Sequence, residues 1–335
     1  MNPDHTPGRP PCGKSRLPSA LLLVAMLLLA LPGAAQDIRV AVISDLNGSY
    51  GSTEYDRAVG AAVARIIALR PDLVISTGDM VAGQRRPHLS RSEIEAMWAA
   101  FESQVSAPLA AAGIPLAVTP GNHDASAYAG FATERAIYAE RWRQRRPALQ
   151  FIDAANYPFH YAFALGEVLF VGLDATTVGA LPLAQMRWLT ALLAEQGVRY
   201  ARRVVFSHLP LWPVASGRET ETIGDPVLQA LLSGTAVDIY LSGHHHAFYP
   251  GHKDGVVFVS QACLGAGRRR LIGDAARAAR SFTLIELAPE RLEIAAYAAP
   301  GFVAPVDWHD LPRQIRSRTA TLQRADLAQV PGLQF

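Results

Sequence analysis

After residue 36 the chain alternates short apolar runs with stretches that carry apolar residues at helical spacing. Ile38 to Ile43, Leu73 to Thr77 and Leu116 to Thr119 have strand length. Between them, Tyr55 to Leu69 and Arg91 to Ala111 predict helices, the first ending before Pro71 and the second at Gly113. Phe159 to Ala164 and Val168 to Leu173, joined by Leu165-Gly166-Glu167, predict a hairpin. Pro182 to Ala194 predicts a helix with proline at its first position. Val204 to Ser207, Ile239 to Ser242 and Val256 to Ser260 predict three more strands, and Ser281 to Leu287 with Leu292 to Tyr297 a final pair. This alternation predicts an α/β domain with largely parallel pairing that becomes more antiparallel toward its end. Residues 298–335 show little periodicity and are expected to form a tail, packed on the surface or partly mobile.

Composition narrows the class. With 335 residues, 50% hydrophobic and 18% charged, the chain is neither disordered nor, with two cysteines, a disulfide scaffold. Lys14 and Arg16 precede an apolar run from Ala20 to Leu31, and small residues follow at Gly33-Ala34-Ala35. That order describes a signal peptide over residues 1–35 and predicts a periplasmic or secreted protein. The run is short for a bilayer span, which leaves an uncleaved anchor as the lesser alternative. Arg9, Lys14 and Arg16 against Asp4 carry the whole excess of 31 basic over 29 acidic residues, so the rest is neutral and gives no electrostatic case for a nucleic-acid partner. Neither does it imply an oligomeric state.

Five polar clusters each follow an apolar strand: Ser44-Asp45-Leu46-Asn47, Gly78-Asp79, Gly121-Asn122-His123-Asp124, Ser207-His208 and Gly243-His244-His245-His246. In an open α/β sheet, ligands bind beyond the carboxyl ends of the strands, so parallel strands would gather these clusters at one edge. The glycines suit sharp exits where the backbone comes close to a ligand. Carboxylates, amides and imidazoles together suit a borderline divalent metal ion. Asp45, Asn47, Asp79, Asn122, His208, His244 and His246 are seven candidate ligands, too many for one tetrahedral ion and enough for two that share a bridge.

In this order the clusters resemble the motifs of the calcineurin-like metallophosphoesterase superfamily: Asp-x-His, Gly-Asp, Gly-Asn-His-Asp/Glu, a lone His and Gly-His-x-His. The resemblance spans about residues 37–297 as one catalytic domain. It implies a four-layer α/β/β/α sandwich of two mixed sheets flanked by helices, and a phosphoester substrate hydrolysed at two divalent metal ions (Mn, Fe, Zn or Ni). Asp45, Asp79 and His246 would hold the first ion, with Asp79 bridging. Asn122, His208 and His244 would complete the second. A hydroxide between the ions would attack phosphorus in line. His123 would assist the leaving group, and Asp124 would orient His123. His245 stands at the variable position between two ligands and is expected to point elsewhere.

One position departs from the motif. Asn47 replaces the first-motif histidine, and its neutral amide oxygen is a weaker donor than imidazole. The first ion is therefore expected to be held less tightly, or to be shifted toward manganese, magnesium or calcium. The same change supports an alternative, a catalytically weak or inactive metal-binding protein on this fold. No tyrosine lies three residues after Asp79, which disfavours the purple acid phosphatase version of the motif.

Other polar features have plainer readings. Asn47 to Ser52 could line the cleft or form a flexible turn. Asp174 is expected to bond structurally. Arg268-Arg269-Arg270 is expected to be a solvated face, with contact to a substrate phosphate as the lesser alternative, and the helical Arg141 to Arg146 a solvated face, with a lid over the cleft as its lesser alternative. Trp98 and Phe101 are expected in the core, and Cys263 buried and inert. His160 and His252 carry no assignment.

Overall fold

The computed structural model describes Gly8 and residues 37–335. But for Gly8, the expected export segment falls outside the described residues. In chain order the elements are β1 (Ile38–Ile43), α1 (Arg57–Leu69), β2 (Leu73–Ser76), α2 (Arg91–Phe101), α3 (Ala107–Ala111), β3 (Leu116–Val118), α4 (Asn122–Ala125) and α5 (Ala132–Gln144). Then come β4 (Gln150–Asn156), β5 (His160–Leu165), β6 (Val168–Gly172), α6 (Leu183–Glu195), β7 (Arg202–Ser207), α7 (Pro226–Gly234), β8 (Ile239–Ser242), β9 (Tyr249–Lys253) and β10 (Val256–Ser260). The chain closes with β11 (Ser281–Leu287), β12 (Leu292–Ala298), β13 (Gln314–Arg316), β14 (Thr321–Arg324) and β15 (Leu333–Gln334).

The strands form two mixed sheets, one of six in the order β15-β12-β11-β1-β2-β3 and one of nine in the order β13-β14-β9-β10-β8-β7-β6-β5-β4. β1, β2 and β3 run parallel, as do β6, β7, β8 and β10. The period-two alternation of the second sheet sorts its side chains into two cores. Val204 and Phe206 of β7, Ile239 and Leu241 of β8, and Val257 and Val259 of β10 join the residues of the first sheet. Val205, Tyr240 and Phe258 face the other way, onto Leu189 and Leu193 of α6 and Leu228 and Leu232 of α7. On the far side of the first sheet, Val59 and Ile66 of α1 and Ile94, Met97 and Trp98 of α2 close the stack. The expected four layers of helix, sheet, sheet and helix are present. Each large apolar side chain so buried stabilises the sandwich by about 1.5–3 kcal/mol.

The structure departs from the sequence reading in three places. The helix expected over Arg91 to Ala111 is interrupted by one wider turn at Glu102–Ser106, where the Ala107 amide reaches back five residues to the Glu102 carbonyl. Pro108 follows, lacking an N–H and crowding the carbonyl four residues earlier, and the extra residue relieves both. Pro182 stands one residue outside its helix, at the N-cap. The tail beyond residue 298 extends both sheets: β14 pairs with β9 and β15 with β12, and Phe302, Trp308, Ile315 and Leu322 are buried. Among the described residues, no helix is long and apolar enough to cross a membrane.

Candidate metal centre

All five polar clusters emerge at carboxyl ends of parallel strands, after β1, β2, β3, β7 and β8. Their backbones are knitted together before any side chain is considered. The Asp45 amide donates to the Gly78 carbonyl at 3.1 Å, and the Leu46 and Asn47 amides to the Asp79 carbonyl at 2.9 and 3.1 Å. The Gly243 amide donates to the His208 carbonyl at 2.9 Å, and the His244 amide to Asp45 Oδ2 at 3.1 Å. Asp45, Asp79, His244 and His246 all have left-handed backbone, with φ between 50° and 63°. That conformation costs a non-glycine residue about 1–2 kcal/mol, so four of the seven candidate ligands are held in strain by their surroundings, a pattern typical of functional sites.

The glycines before these ligands admit a neighbouring strand end. A Cβ on Gly121 would lie 2.1 Å from the Asp79 amide nitrogen, and one on Gly243 2.1 Å from Ser44 Oγ. Gly121→Ala is therefore expected to cost about 1–3 kcal/mol by overpacking and to lower the thermal midpoint by several degrees in calorimetry. Gly60→Ala, where the added carbon meets open space in α1, is the control and should be neutral or slightly stabilising. Equal midpoints in the two variants would contradict this account.

The side chains converge on a cage of acceptors. His208 places Nδ1 2.8 Å from the Thr77 carbonyl, His246 places Nδ1 2.7 Å from the Gly267 carbonyl, and His244 places Nε2 3.0 Å from Glu221 Oε2. A ring nitrogen facing such a partner carries the proton, so the opposite nitrogen offers a lone pair. Those lone pairs meet more acceptors. His208 Nε2 lies 2.9 Å from Asn122 Oδ1, 3.4 Å from Asp79 Oδ2 and 3.3 Å from His244 Nδ1. His246 Nε2 lies 3.1 Å from Asp45 Oδ1. The Asn122 amide is turned by Gln84, whose Oε1 accepts from Nδ2 at 3.0 Å. Asp79 Oδ2 and Asn47 Oδ1 are buried without any hydrogen-bond partner. Ligand atoms of Asp79, His208 and His244 all lie within 4.8 Å of one another. Lone pairs so crowded repel unless a cation or a proton sits among them. The donor set thus fits divalent cations.

Electrostatics agree. Burial alone would raise the Asp79 carboxyl, but His208 and His123 beside it hold it well below the usual carboxylate range. Asp45 is likewise lowered against its burial, mainly by His246. Burial would lower His208, yet Asp79 and Asp45 raise it to about 9. Positive charge is favoured at the centre of the cage. At its rim, the hydrogen bond to His244, with Arg218 nearby, lowers Glu221 to about 2.

The remaining expected residues fall as follows. His123 lies beside the cage, its Nε2 3.8 Å from Asp79 Oδ2 and its amide donating to Asp79 Oδ1 at 2.8 Å. Asp124 does not orient it. As the third residue of α4, Asp124 folds back onto the helix start, where Oδ1 accepts from the Gly121 amide at 2.6 Å, while Oδ2 accepts from the Met80 amide at 2.8 Å. Both oxygens are thereby committed to backbone, and Asp124 braces two strand ends. Burial, with Asp79 adding to it, raises its carboxyl to about 7.

His245 points away, its Nδ1 accepting from the Val214 and Ala215 amides, and burial lowers it to about 3. Asp174 pairs with Arg135. Arg141 and Arg145 pair with Glu102, while Arg268 and Arg270 are exposed and Arg269 is half-buried. Cys263 is buried, and that burial raises its thiol to about 12. The Asn47-to-Tyr50 segment lines a cavity of about 430 Å³ beside His123 and His246. Tyr50 tilts over the His123 ring, their centroids 5.2 Å apart.

Glu221 and Gln84, which fix His244 and Asn122, escape sequence reasoning. Each stands in a loop without periodicity or motif.

The family model for calcineurin-like phosphoesterases matches residues 38–248. Solved structures share the fold. A purple acid phosphatase from seeds of yellow lupin (Lupinus luteus) superposes with a TM-score of 0.61 at 18% identity, over 80% of this chain and 52% of that one. A dimetal phosphatase from Danio rerio gives 0.56 at 15% identity, over 86% of this chain and 99% of that one. PhoD gives 0.60 at 13% identity, over 82% and 69%. The chain thus spans about half the length of the lupin enzyme and nearly all of the fish one. No curated protein matches the sequence.

Proposed function

Since the chain belongs to the calcineurin-like phosphoesterase family, we propose that it is a metallophosphoesterase that hydrolyses phosphoesters with two divalent cations held in the acceptor cage. Asp45, Asn47 and His246 would hold one cation, Asn122, His208 and His244 the other, with Asp79 between them. When bound, the pair would neutralise phosphoryl oxygens and lower the pKa of a water molecule from 15.7 toward about 7. Thr77, Gly267 and Glu221 keep the three ligand imidazoles in the tautomers the cations need. His123 has no such tether. Its Nδ1 is buried without a partner, and its side chain is 25% exposed at the cavity wall. This leaves its ring available to give a proton to the departing oxygen. The observation that carries the reading is the cage itself, in which the inward-facing atoms are acceptors.

The test is turnover of chromogenic mono- and diesters by the purified chain, first stripped with a chelator and then reconstituted with manganese, iron, zinc or nickel. Turnover should vanish on stripping and return with metal. Turnover indifferent to the chelator would contradict the proposal. Metal retained without turnover on a broad panel would favour the alternative of a binding protein, which Asn47 motivates.

Asn47→His gives a sharper expectation. Asn47 Oδ1 is orphaned beside the open cavity, so an imidazole has room to take its place. The variant should hold zinc against a competing chelator roughly 10-fold more tightly than the parent. Equal retention in the competition assay would show that position 47 contributes no ligand.

Export belongs to the same proposal. It rests on the charged start, the apolar run from Ala20 to Leu31 and the small residues before Gln36. N-terminal sequencing of exported material should begin near Gln36, and an intact Met1 would contradict it.

A further inference from the structure

Two cavities open on either side of the cage. The one of about 430 Å³ is bordered by Asn47, Tyr50, His123, His246 and Arg280. The other, of about 270 Å³, is bordered by Asn122, Tyr128, Val178, Glu221 and His244. They share no lining residue: Asn47 and His246 border the first, and Asn122 and His244 the second. Large apolar side chains that stand half exposed are few among the described residues, yet three of them occur here: Tyr50 in the first cavity, and Tyr128 and Val178 in the second. Exposed apolar surface beside a polar centre marks a place where a ligand covers it.

Charge narrows the ligand further. Among the described residues, Arg280 is the single arginine or lysine that lines either cavity. Its guanidinium is already engaged by the Leu264 and Ala266 carbonyls, at 3.1 and 2.7 Å, and by Asp56 at 3.2 Å. No described residue lining either cavity therefore offers a free cation for a second phosphate or for the terminal oxygens of a dianionic monoester.

Resting on the hydrolase reading above, we infer that the substrate is a phosphodiester with an apolar or planar substituent on each side, one in each cavity. The Tyr50 cavity takes the departing group, because His123 lines it. The Tyr128 cavity takes the group that stays. Water supplies a hydroxyl to phosphorus and a proton to the departing oxygen, the P–O bond to that group breaks, and the products are an alcohol and a monoester. Tyr128 is set as a wall, since its hydroxyl accepts from the Val178 amide at 3.1 Å across the two loops.

The experiment compares bis(4-nitrophenyl) phosphate with 4-nitrophenyl phosphate, which share a leaving group and differ in the second substituent. With reconstituted protein, kcat/KM should favour the diester by about 10-fold or more. Tyr128→Ala should shrink that ratio by about 10-fold, and Tyr128→Phe should largely restore it. A second readout is independent of turnover. Diphenylphosphinate, which cannot be hydrolysed and carries two rings, should protect both Tyr50 and Tyr128 from nitration by tetranitromethane, as read by mass spectrometry. Phenylphosphonate, with one ring, should leave Tyr128 reactive. A preference for the monoester, or a ratio untouched by Tyr128→Ala, would overturn the diester inference and leave the hydrolase reading intact. Turnover of neither substrate with any metal would overturn both.

Discussion

Asp79→Asn is expected to lower phosphoesterase turnover by about 10³-fold or more, equivalent to about 4 kcal/mol of transition-state stabilisation, while leaving the fold in place. The substitution separates the two jobs of one carboxylate. Oδ1 accepts from the His123 amide at 2.8 Å, a bond that an asparagine carbonyl can keep. Oδ2 is the orphaned oxygen in the middle of the cage, 3.4 Å from His208 Nε2. Asparagine would put an N–H group there, where a cation must accept a lone pair, and would remove the negative charge that raises His208. Circular dichroism and gel filtration should match the parent, because the side chain is nearly isosteric. Retention of even a tenth of parental turnover at saturating metal would show that Asp79 does not bridge.

His123→Ala is expected to lower kcat by about 10²–10⁴-fold, the usual worth of a general acid, with metal content unchanged. The ring sits outside the tethered set and faces the cavity beneath Tyr50. Its removal takes no ligand from the cage. The loss should be steep for alkyl leaving groups, which need the proton, and shallow for 4-nitrophenolate, which leaves without it. A uniform loss across leaving groups, or a loss of metal, would move His123 from acid to structural or ligating residue. Asp124→Asn bears on the same point. Because both Asp124 oxygens accept from backbone amides, its effect should fall on thermal stability before it falls on leaving-group dependence.

Much of this site was legible because each cluster directly follows an apolar run, and parallel pairing turns that sequence regularity into a shared edge. Asp45, Asp79, Asn122, His208, His244 and His246 could be brought together on that ground. Other features depend on tertiary approach. Glu221 reaches His244 from a loop whose polar run, Arg218 to Thr222, resembles any solvated turn. The family resemblance implies that Asp124 serves His123, but the short helix that carries both turns the carboxylate back onto the Gly121 amide. Only the gathered strand ends reveal what the glycines make room for: Gly121 for the Asp79 backbone and Gly243 for Ser44. The C-terminal strands β13 to β15 span four residues at most and carry too little alternation to be read. The start of α7 does carry a sequence signal: Asp225 accepts from the Val227 amide as the N-cap, and Pro226 follows at the first helical position.

The most direct measurement is the metal content of the purified chain by plasma mass spectrometry, after loading with excess manganese and desalting. Two ions per chain are predicted for the parent protein, since seven candidate donors from five strand ends exceed what a single tetrahedral ion takes. Only trace metal at saturating load would mean that these donors do not form a cage for cations, and the account would fail at its root.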